Sequence, residues 1–203
     1  MIAIIDYDAG NIKSVEKAFQ AIGQETCLTR EAGILLEADH VVLPGVGSFG
    51  QAMEKLQEYD LIPVIEKIIE KKTPFLGICL GMQLLFDGSE ESLGVSGLGI
   101  LKGKIRKIPS NGTLKIPHMG WNSLHLKNQE RLFYDLKEDD YVYFVHSYYL
   151  QAEEEEIVKA TADYGICIHA SVEKGQVFGC QFHPEKSGEV GLKILKNFAE
   201  IKG

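Results

Sequence analysis

The stretch FLGICLGMQ, residues 75–83, indicates the fold because it joins an apolar run directly to a group of helix formers. A cysteine, Cys79, stands at the junction between two glycines, Gly77 and Gly81. Apolar residues followed at once by helix formers are typical of a buried strand that turns sharply into a helix. At that turn, Cys79 is either an inert core residue, as most buried cysteines are, or a nucleophile presented on the turn.

The first half of the chain repeats this order of strand and helix. The predicted strands are 1–6, 40–45 and 74–78, and the predicted helices are 11–22, 51–58 and 61–72. Strands that alternate with helices form parallel βαβ units, in which helices cover both faces of the sheet.

The second half changes character, because most of its apolar runs are rich in β-branched and aromatic residues. These runs are 100–108, 141–150, 157–164, 166–172 and 176–183. The turn EKGQ at 173–176 has the composition of a hairpin turn, and residues 189–201 predict a final amphipathic helix. We therefore predict a single α/β domain over residues 1–203, with a mostly parallel central sheet flanked by helices and an antiparallel second half.

Composition and charge argue against several classes of protein. The net charge of −8 argues against a nucleic-acid binder, because such proteins need a basic face to meet phosphates, so we expect no nucleic-acid partner. No run approaches the ~20 apolar residues of a membrane span, and no signal-peptide pattern precedes the first strand. The four cysteines have no CxxC spacing, which argues against a zinc site and a disulfide framework. We expect a cytoplasmic protein with free thiols, no metal and no cofactor.

The motif G-I-C-L-G has the form of the nucleophile elbow G-x-S-x-G, with sulfur in place of oxygen. Such a turn brings backbone close on both sides, so Cβ atoms at Gly77 and Gly81 would clash. A helix N-terminus at Cys79 also favours the thiolate, through the positive end of the helix dipole. Open α/β sheets bind ligands at this place, outside the carboxyl ends of their strands.

A thiolate nucleophile needs a base, and the base needs a third group that fixes its tautomer. Of the six histidines, we favour His183 in QFHPEKS, because it ends an apolar run and Glu185 follows two residues later. Glu185 can then accept a hydrogen bond from one ring nitrogen while the other faces the sulfur. The alternative is a turn histidine near a solvated glutamate. His40, His125 and His169 are predicted to be ordinary surface or strand residues.

Acyl transfer also requires hydrogen-bond donors directed at the developing oxyanion. The amide of Leu80, which follows the cysteine, is one candidate. The loop PGVG at 44–47 is the second, through the amides of Val46 and Gly47, and its glycines permit a peptide flip. The alternative is a plain glycine-rich turn.

The motifs PGVG, GICLGMQ and HPE, in this order at the ends of three predicted strands, resemble those of the class I, triad-type glutamine amidotransferases. The resemblance implies a flavodoxin-like fold in which Cys79 attacks the side-chain carboxamide of L-glutamine. His183 and Glu185 would complete the triad, ammonia would leave, and water would hydrolyse the glutamyl thioester. The residues implied to hold the glutamine are Gln83, Glu91, His146, Ser147 and Tyr148.

Within this family, the segments DYDAGNIKS and PHMGWN are similar to those of the glutaminase subunits of imidazole glycerol phosphate synthases. This implies a partner, a (β/α)8-barrel cyclase that receives the ammonia through a channel and makes imidazole glycerol phosphate and AICAR in histidine biosynthesis. The residues implied on the docking face are Asn11, Met119, Trp121 and Lys186. Core packing is the alternative for Trp121, the only tryptophan.

Other functions fit parts of the pattern. A paralogous amidotransferase subunit of surface-sugar biosynthesis would share these motifs. A cysteine hydrolase or redox-responsive protein of a related fold would share the elbow, but it would not need Gln83 or the H-P-E triplet. A catalytically silent binding subunit would have lost a member of the triad, and none is missing.

Overall fold

The strand that leads to Cys79 lies inside the main sheet of the molecule. The computed structural model describes residues 1–110, 112 and 114–203, and within them the main sheet has eight strands. The helices are α1 Ile12–Ala21, α2 Ala32–Glu37, α3 Phe49–Glu58, α4 Leu61–Glu70, α5 Leu80–Leu84 and α6 Gly188–Glu200. The strands are β1 Ile2–Ile5, β2 Thr26–Thr29, β3 His40–Leu43, β4 Phe75–Ile78, β5 Gly88–Ser89, β6 Gly103–Lys107, β7 His118–Ser123, β8 His125–Leu126, β9 Tyr141–His146, β10 Tyr148–Ala152, β11 Val158–Asp163, β12 Cys167–Lys174 and β13 Val177–Cys180.

The strand order of the main sheet is β2-β1-β3-β4-β13-β12-β11-β8. Neighbours from β2 to β13 pair in parallel, and neighbours from β13 to β8 pair antiparallel. The predicted α/β fold, with a mostly parallel central sheet and an antiparallel second half, is therefore confirmed. The hairpin predicted at 173–176 is also confirmed, because Lys174 pairs with Val177.

The register of β4 and β13 brings two distant parts of the sequence to one edge of the sheet. Ile78 pairs with Cys180, the last residue of each strand. One residue further on, the amide of Cys79 donates to the carbonyl of Cys180 at 2.7 Å. Because the strands are parallel, the segment that begins at Cys79 and the segment 181–185 leave the sheet side by side.

Helices cover both faces of the central sheet. On β1, Ala3 and Ile5 pack into the cluster that includes α2, α3 and α4. The alternate residues Ile2 and Ile4 pack into the cluster that includes α1 and α6. All four are buried, as expected for a parallel strand between two helical layers. None of the described helices is both long and apolar enough to cross a membrane.

Several features of the fold differ from the prediction. Residues 26–37 carry no predicted element, but they form β2 and α2. β2 is a half-buried edge strand and α2 has six residues, so both are too short for a clear periodic signal. The run 141–150 is not one strand: it divides at Ser147 into β9, which pairs with β7, and β10, which pairs with β6. The predicted helix ends lie within two residues of the observed ends.

Candidate active site

Cys79 follows β4 with φ 53° and ψ −107°, a conformation that residues with side chains rarely adopt. A Cβ atom at Gly77 would lie 2.7 Å from the carbonyl oxygen of Gly81, and one at Gly81 would lie 1.8 Å from that of Leu43. The predicted requirement for glycine at both positions is confirmed. The turn from β4 into α5 thus has the geometry of a nucleophile elbow, with the thiol at its tip.

His183 and Glu185 form a buried pair beside this turn. Nδ1 of His183 lies 2.8 Å from Oε1 of Glu185, and both side chains are fully buried. Because a carboxylate accepts hydrogen bonds, Nδ1 carries a proton. The same carboxylate oxygen accepts a second bond, at 3.0 Å, from Nδ2 of Asn11. The pair therefore holds the imidazole in one orientation, as the spacing of H-P-E predicts.

The second ring nitrogen of His183 is available for chemistry. Nε2 is buried and has no hydrogen-bond partner of accepted geometry within residues 1–110, 112 and 114–203. Burial of the ring opposes its protonation, but the sulfur of Cys79 and the carboxylate of Glu185 outweigh burial and raise the pKa of His183 to about 10. The charged form of the imidazole is thus favoured by its position between the sulfur of Cys79 and the carboxylate of Glu185.

A chain of side-chain amides also reaches the sulfur. Nε2 of Gln83 donates to the carbonyl of Tyr148 at 3.1 Å and to Oε1 of Gln181 at 2.9 Å. Nε2 of Gln181 in turn lies 3.7 Å from Sγ of Cys79. Sequence reasoning missed Gln181. The signal that could have identified it is a polar residue within the apolar run 176–183.

A cleft of about 330 Å³ opens above the sulfur. All five residues predicted to hold the glutamine line it, together with Cys79 and the three predicted oxyanion residues. The lining is completed by Pro117 and Val145; the full set is Val46, Gly47, Cys79, Leu80, Gln83, Glu91, Pro117, Val145, His146, Ser147 and Tyr148. One carboxylate oxygen of Glu91 accepts a bond from the amide of Phe49 at 2.7 Å, which fixes this side chain at the start of α3.

The two predicted sources of oxyanion donors face each other across the turn. The amide of Leu80 donates to the carbonyl of Gly45 at 3.3 Å, so in this structure a carbonyl of the PGVG loop occupies the donor. The next carbonyl back, that of Pro44, accepts a bond from Oη of Tyr7 at 2.7 Å. Burial, reinforced by the nearby Cys79, raises the pKa of Tyr7, so the phenol stays neutral and keeps this donor.

Comparison with known proteins identifies the family to which this site belongs. Residues 3–201 match the family model described as glutamine amidotransferase class-I. The chain belongs to this family. A Bacillus cereus (strain G9842) protein named imidazole glycerol phosphate synthase subunit HisH is 53% identical over 201 residues, which cover 99% of this chain and 95% of that protein. A protein of the same name from Thermosynechococcus vestitus is 49% identical, with coverage of 98% and 96%.

Solved amidotransferase structures share the fold of this chain. One described as glutamine amidotransferase has a TM-score of 0.76 at 18% identity and covers 98% of this chain and 100% of its own. PurLQS from Thermotoga maritima has a TM-score of 0.73 at 20% identity, with coverage of 98% and 96%. Identities this low support the fold alone, and the fold is that of an amidotransferase.

Two buried histidines, His118 and His146, contact each other at the cleft of this amidotransferase, and His146 lines the cleft. Nδ1 of His146 donates to the carbonyl of Tyr148 at 2.8 Å, and Nε2 of His146 lies 2.9 Å from Nδ1 of His118. The ring of His118 stacks on Phe144 and Tyr164, with centroids 4.7 and 3.9 Å away. Burial lowers the pKa of His118 to about 4. Burial, partly offset by the Tyr148 carbonyl, lowers that of His146 to about 3.

Three of the four residues predicted on the docking face are exposed. Met119 and Trp121 on β7 are 61% and 55% exposed, and Lys186 is also exposed. The alternative interpretation of Trp121 as a core residue is therefore wrong. Its indole makes an edge contact with the ring of Tyr143, with centroids 6.1 Å apart. Asn11 differs, because it is only 8% exposed. Its side-chain amide nitrogen donates to the buried carboxylate of Glu185, so this side chain points away from the exposed face.

Among the described residues, one group of side chains has the composition of a metal site. Donor atoms of His125, Glu138 and Asp139 lie within 4.8 Å of one another, and all three are exposed. Nδ1 of His125 lies 3.6 and 3.4 Å from the two carboxylates, which is the geometry of a surface ion pair. This group takes no part in the lining of the cleft.

Proposed function

We propose that this chain is the glutaminase subunit of an imidazole glycerol phosphate synthase in histidine biosynthesis. It hydrolyses glutamine to glutamate and ammonia and passes the ammonia to a (β/α)8-barrel cyclase. The single observation that carries the chemistry is the buried His183–Glu185 pair beside an elbow cysteine that lines a cleft. The assignment to this synthase is supported by about 50% identity over nearly the full length of proteins so named.

The proposed reaction begins with a thiolate at Cys79 and a proton on His183. The thiolate attacks the carboxamide carbon of glutamine, and the carbonyl electrons move to oxygen. Imidazolium then gives its Nε2 proton to the amide nitrogen, the C–N bond breaks, and ammonia leaves a glutamyl thioester. Water attacks the thioester and loses a proton to Nε2, and collapse of this second intermediate releases glutamate and restores the thiolate. Glu185 holds Nδ1 and stabilises the charged ring throughout.

The PGVG loop is the proposed switch. In the observed arrangement the Gly45 carbonyl accepts from the Leu80 amide, whereas an oxyanion would need that amide and a second donor from the loop. Rotation of the peptide between Gly45 and Val46 would remove the carbonyl and direct the Val46 amide into the cleft. Glutamine would then be hydrolysed only when the partner has turned the loop, so that none is wasted.

Ammonia is the reason for a partner. Released into water at neutral pH, ammonia is protonated and lost, so it must pass directly to the subunit that uses it. The proposed docking face includes the exposed side chains of Met119, Trp121 and Lys186. Met119 and Trp121 lie on β7, and Lys186 directly follows the proposed triad residue Glu185. Exposed Trp and Met are the residue types enriched in protein interfaces. A cytoplasmic location, with both subunits in one compartment, belongs to the same proposal.

The test is steady-state release of glutamate from the chain alone, from its complex with a barrel cyclase, and from the complex with the cyclase's nucleotide substrate bound. We expect the liganded complex to exceed the lone chain by about 10²–10³, the usual effect of one oxyanion donor. Equal rates in all three samples would show that no switch exists. No release from the liganded complex would overturn the proposed function itself.

A further inference from the structure

We propose that Gln181 is a positioning residue for the nucleophile, whose side-chain N–H group holds the sulfur of Cys79 as a hydrogen-bond acceptor. The inference rests on the proposed function only in taking Cys79 as the nucleophile. Gln181 is fully buried, and its Nε2 lies 3.7 Å from Sγ. It reaches the sulfur from the segment after β13, the same segment that carries His183.

The direction of this hydrogen bond is set by a backbone carbonyl two steps away. The Tyr148 carbonyl can only accept, so the group of Gln83 that faces it at 3.1 Å must be the amide nitrogen. That nitrogen also lies 2.9 Å from the Gln181 amide, which must therefore present its oxygen. The nitrogen of Gln181 is left to face the sulfur. His146 also donates to the Tyr148 carbonyl, so both lone pairs of that oxygen accept hydrogen bonds.

A donor at this place favours one state of the sulfur. A thiol is a weak donor and a weak acceptor, whereas a thiolate accepts strongly. The sulfur's own bond as a donor is long: the carbonyl of Val145 lies 4.0 Å away, the outer limit for a bond to sulfur. The N–H of Gln181 therefore stabilises the thiolate and fixes where it points. The titratable groups that face it are His183, which is held charged, and Tyr7, which is neutral.

Packing alone does not account for an amide here. The backbone amide of Gln181 donates to the carbonyl of Ala170 at 2.9 Å, so the strand edge is already satisfied without the side chain. A buried amide costs free energy unless it is hydrogen-bonded, and an apolar side chain of similar length would fill the space without that cost. The amide is bonded at both ends, to Gln83 and to the sulfur.

The test compares the rate at which iodoacetamide alkylates Cys79 at pH 7 in the isolated full-length chain, with the adduct located by mass spectrometry. Gln181→Met keeps the length and removes both hydrogen bonds, and it should slow alkylation about ten- to a hundredfold, the range for a lost bond to a charged group. Gln181→Glu keeps the acceptor for Gln83 but places negative charge beside the sulfur. Its alkylation should be slower still.

Ser171→Ala is the matched control. Ser171 is as deeply buried, on the neighbouring strand β12, and its hydroxyl donates to the carbonyl of Gly179 at 2.8 Å, outside the amide chain. It should destabilise the fold without changing the alkylation rate. In the liganded complex, Gln181→Met should lower kcat much more than it raises KM, because the sulfur rather than glutamine binding is affected.

Alkylation of folded Gln181→Met at the wild-type rate would overturn the inference while leaving the proposed glutaminase intact. Absence of glutamate release by the wild-type complex would remove the proposed function and leave the alkylation result standing. Should Gln181→Met fail to fold, Gln83→Met tests the bond from its other end, because it frees the Gln181 amide to rotate. It should also slow alkylation, by less, and an unchanged rate would again count against the inference.

Discussion

Two buried histidine sites, the His183–Glu185 pair and the His118–His146 pair, lie close together in this molecule, and the pKa values of their histidines shift in opposite directions. His183 is fully buried against Glu185, and its pKa is raised to about 10. His146 and His118 are buried against each other, and their pKa values are lowered to about 3 and 4. Burial by itself disfavours the charged imidazole in every case. What separates the two regions is the presence of negative charge at His183 and its absence at the other pair.

The two sites differ in what the protonation state of their histidines allows. At His183, a carboxylate on one side and a sulfur on the other keep a proton available where a leaving group would need it. At His118 and His146, neutral rings fix their tautomers through the carbonyl of Tyr148 and stack on aromatic neighbours, so they shape the wall of the cleft. The same residue type is thus the proposed base in one place and a rigid polar spacer in the other.

The largest effect should come from removing the sulfur. Cys79→Ser keeps nearly the same volume but loses the thiolate, so glutamate release by the liganded complex should fall by about 10⁴-fold or more. His183 should also lose part of the charge that raises its pKa, and an NMR titration should find that value below about 10.

An electrophilic glutamine analogue provides the companion measurement for the same cysteine. It should modify Cys79 and leave Cys27, Cys167 and Cys180 unmodified, although Cys167 is the exposed thiol. Adducts spread over all four cysteines would contradict the assignment of the nucleophile.

The next largest effects should distinguish the base from the group that orients it. His183→Asn removes the proton carrier, whereas Glu185→Gln keeps the ring and removes only the charge that holds it. We expect His183→Asn to lose about 10- to 100-fold more of kcat than Glu185→Gln. Equal losses would indicate a further role for Glu185, and full activity of Glu185→Gln would exclude it from the triad.

The proposed triad can be predicted from the sequence because each of its residues lies at a recognisable break in a pattern. Cys79 lies between two glycines at the end of an apolar run, and His183 and Glu185 follow the last strand of the sheet. The order of strands, by contrast, cannot be read locally. That β13 also pairs with β4 depends on contacts such as Phe75 with Val177, which are about 100 residues apart and which no local pattern encodes.

The sequence failed where a residue's role depends on what lies opposite it. Gln181 interrupts an apolar run, but its partner Gln83 is distant in sequence, and nothing local relates the two. The resemblance implies that Asn11 lies on the docking face, but no local pattern predicts that its side-chain amide binds Glu185. The division of 141–150 at Ser147 likewise depends on which strands receive its two parts.

A smaller effect should follow from loosening the carboxylate. Asn11→Ala removes the 3.0 Å bond to Oε1 of Glu185, and we expect kcat to fall about tenfold because the carboxylate holds the ring less firmly. Asn197→Ala is the control: Asn197 is similarly buried, and its amide binds the carbonyls of Leu132 and Tyr134. It should lower the melting temperature without lowering kcat. Wild-type kcat in Asn11→Ala would mean that Glu185 is oriented without it.

The smallest effect concerns the neutral pair and appears in stability rather than rate. Unfolded histidines bind protons below about pH 6.5, whereas folded His118 and His146 do so only near pH 4 and 3. Between these values the unfolded state binds more protons, so the free energy of unfolding should fall as the pH is lowered from about 6.5. Each histidine can contribute at most about 1.4 kcal/mol per pH unit.

His118→Phe sharpens this last contrast, because it keeps an aromatic ring between Phe144 and Tyr164 and removes the titrating group. Denaturant unfolding at pH 8 should find the variant about 1–2 kcal/mol less stable, since His146 loses the donor to its Nε2. Between pH 6 and 4.5, however, the variant should lose less stability than the wild type, so the difference between them narrows. His183 acts in the opposite sense, because its pKa is raised to about 10 in the folded state. The stability that this shift contributes is complete below about pH 6.5 and is lost as the pH rises to about 10. Parallel pH profiles for variant and wild type would mean that His118 binds its proton in the folded state, and the contrast between the two histidine pairs would then fail at that residue.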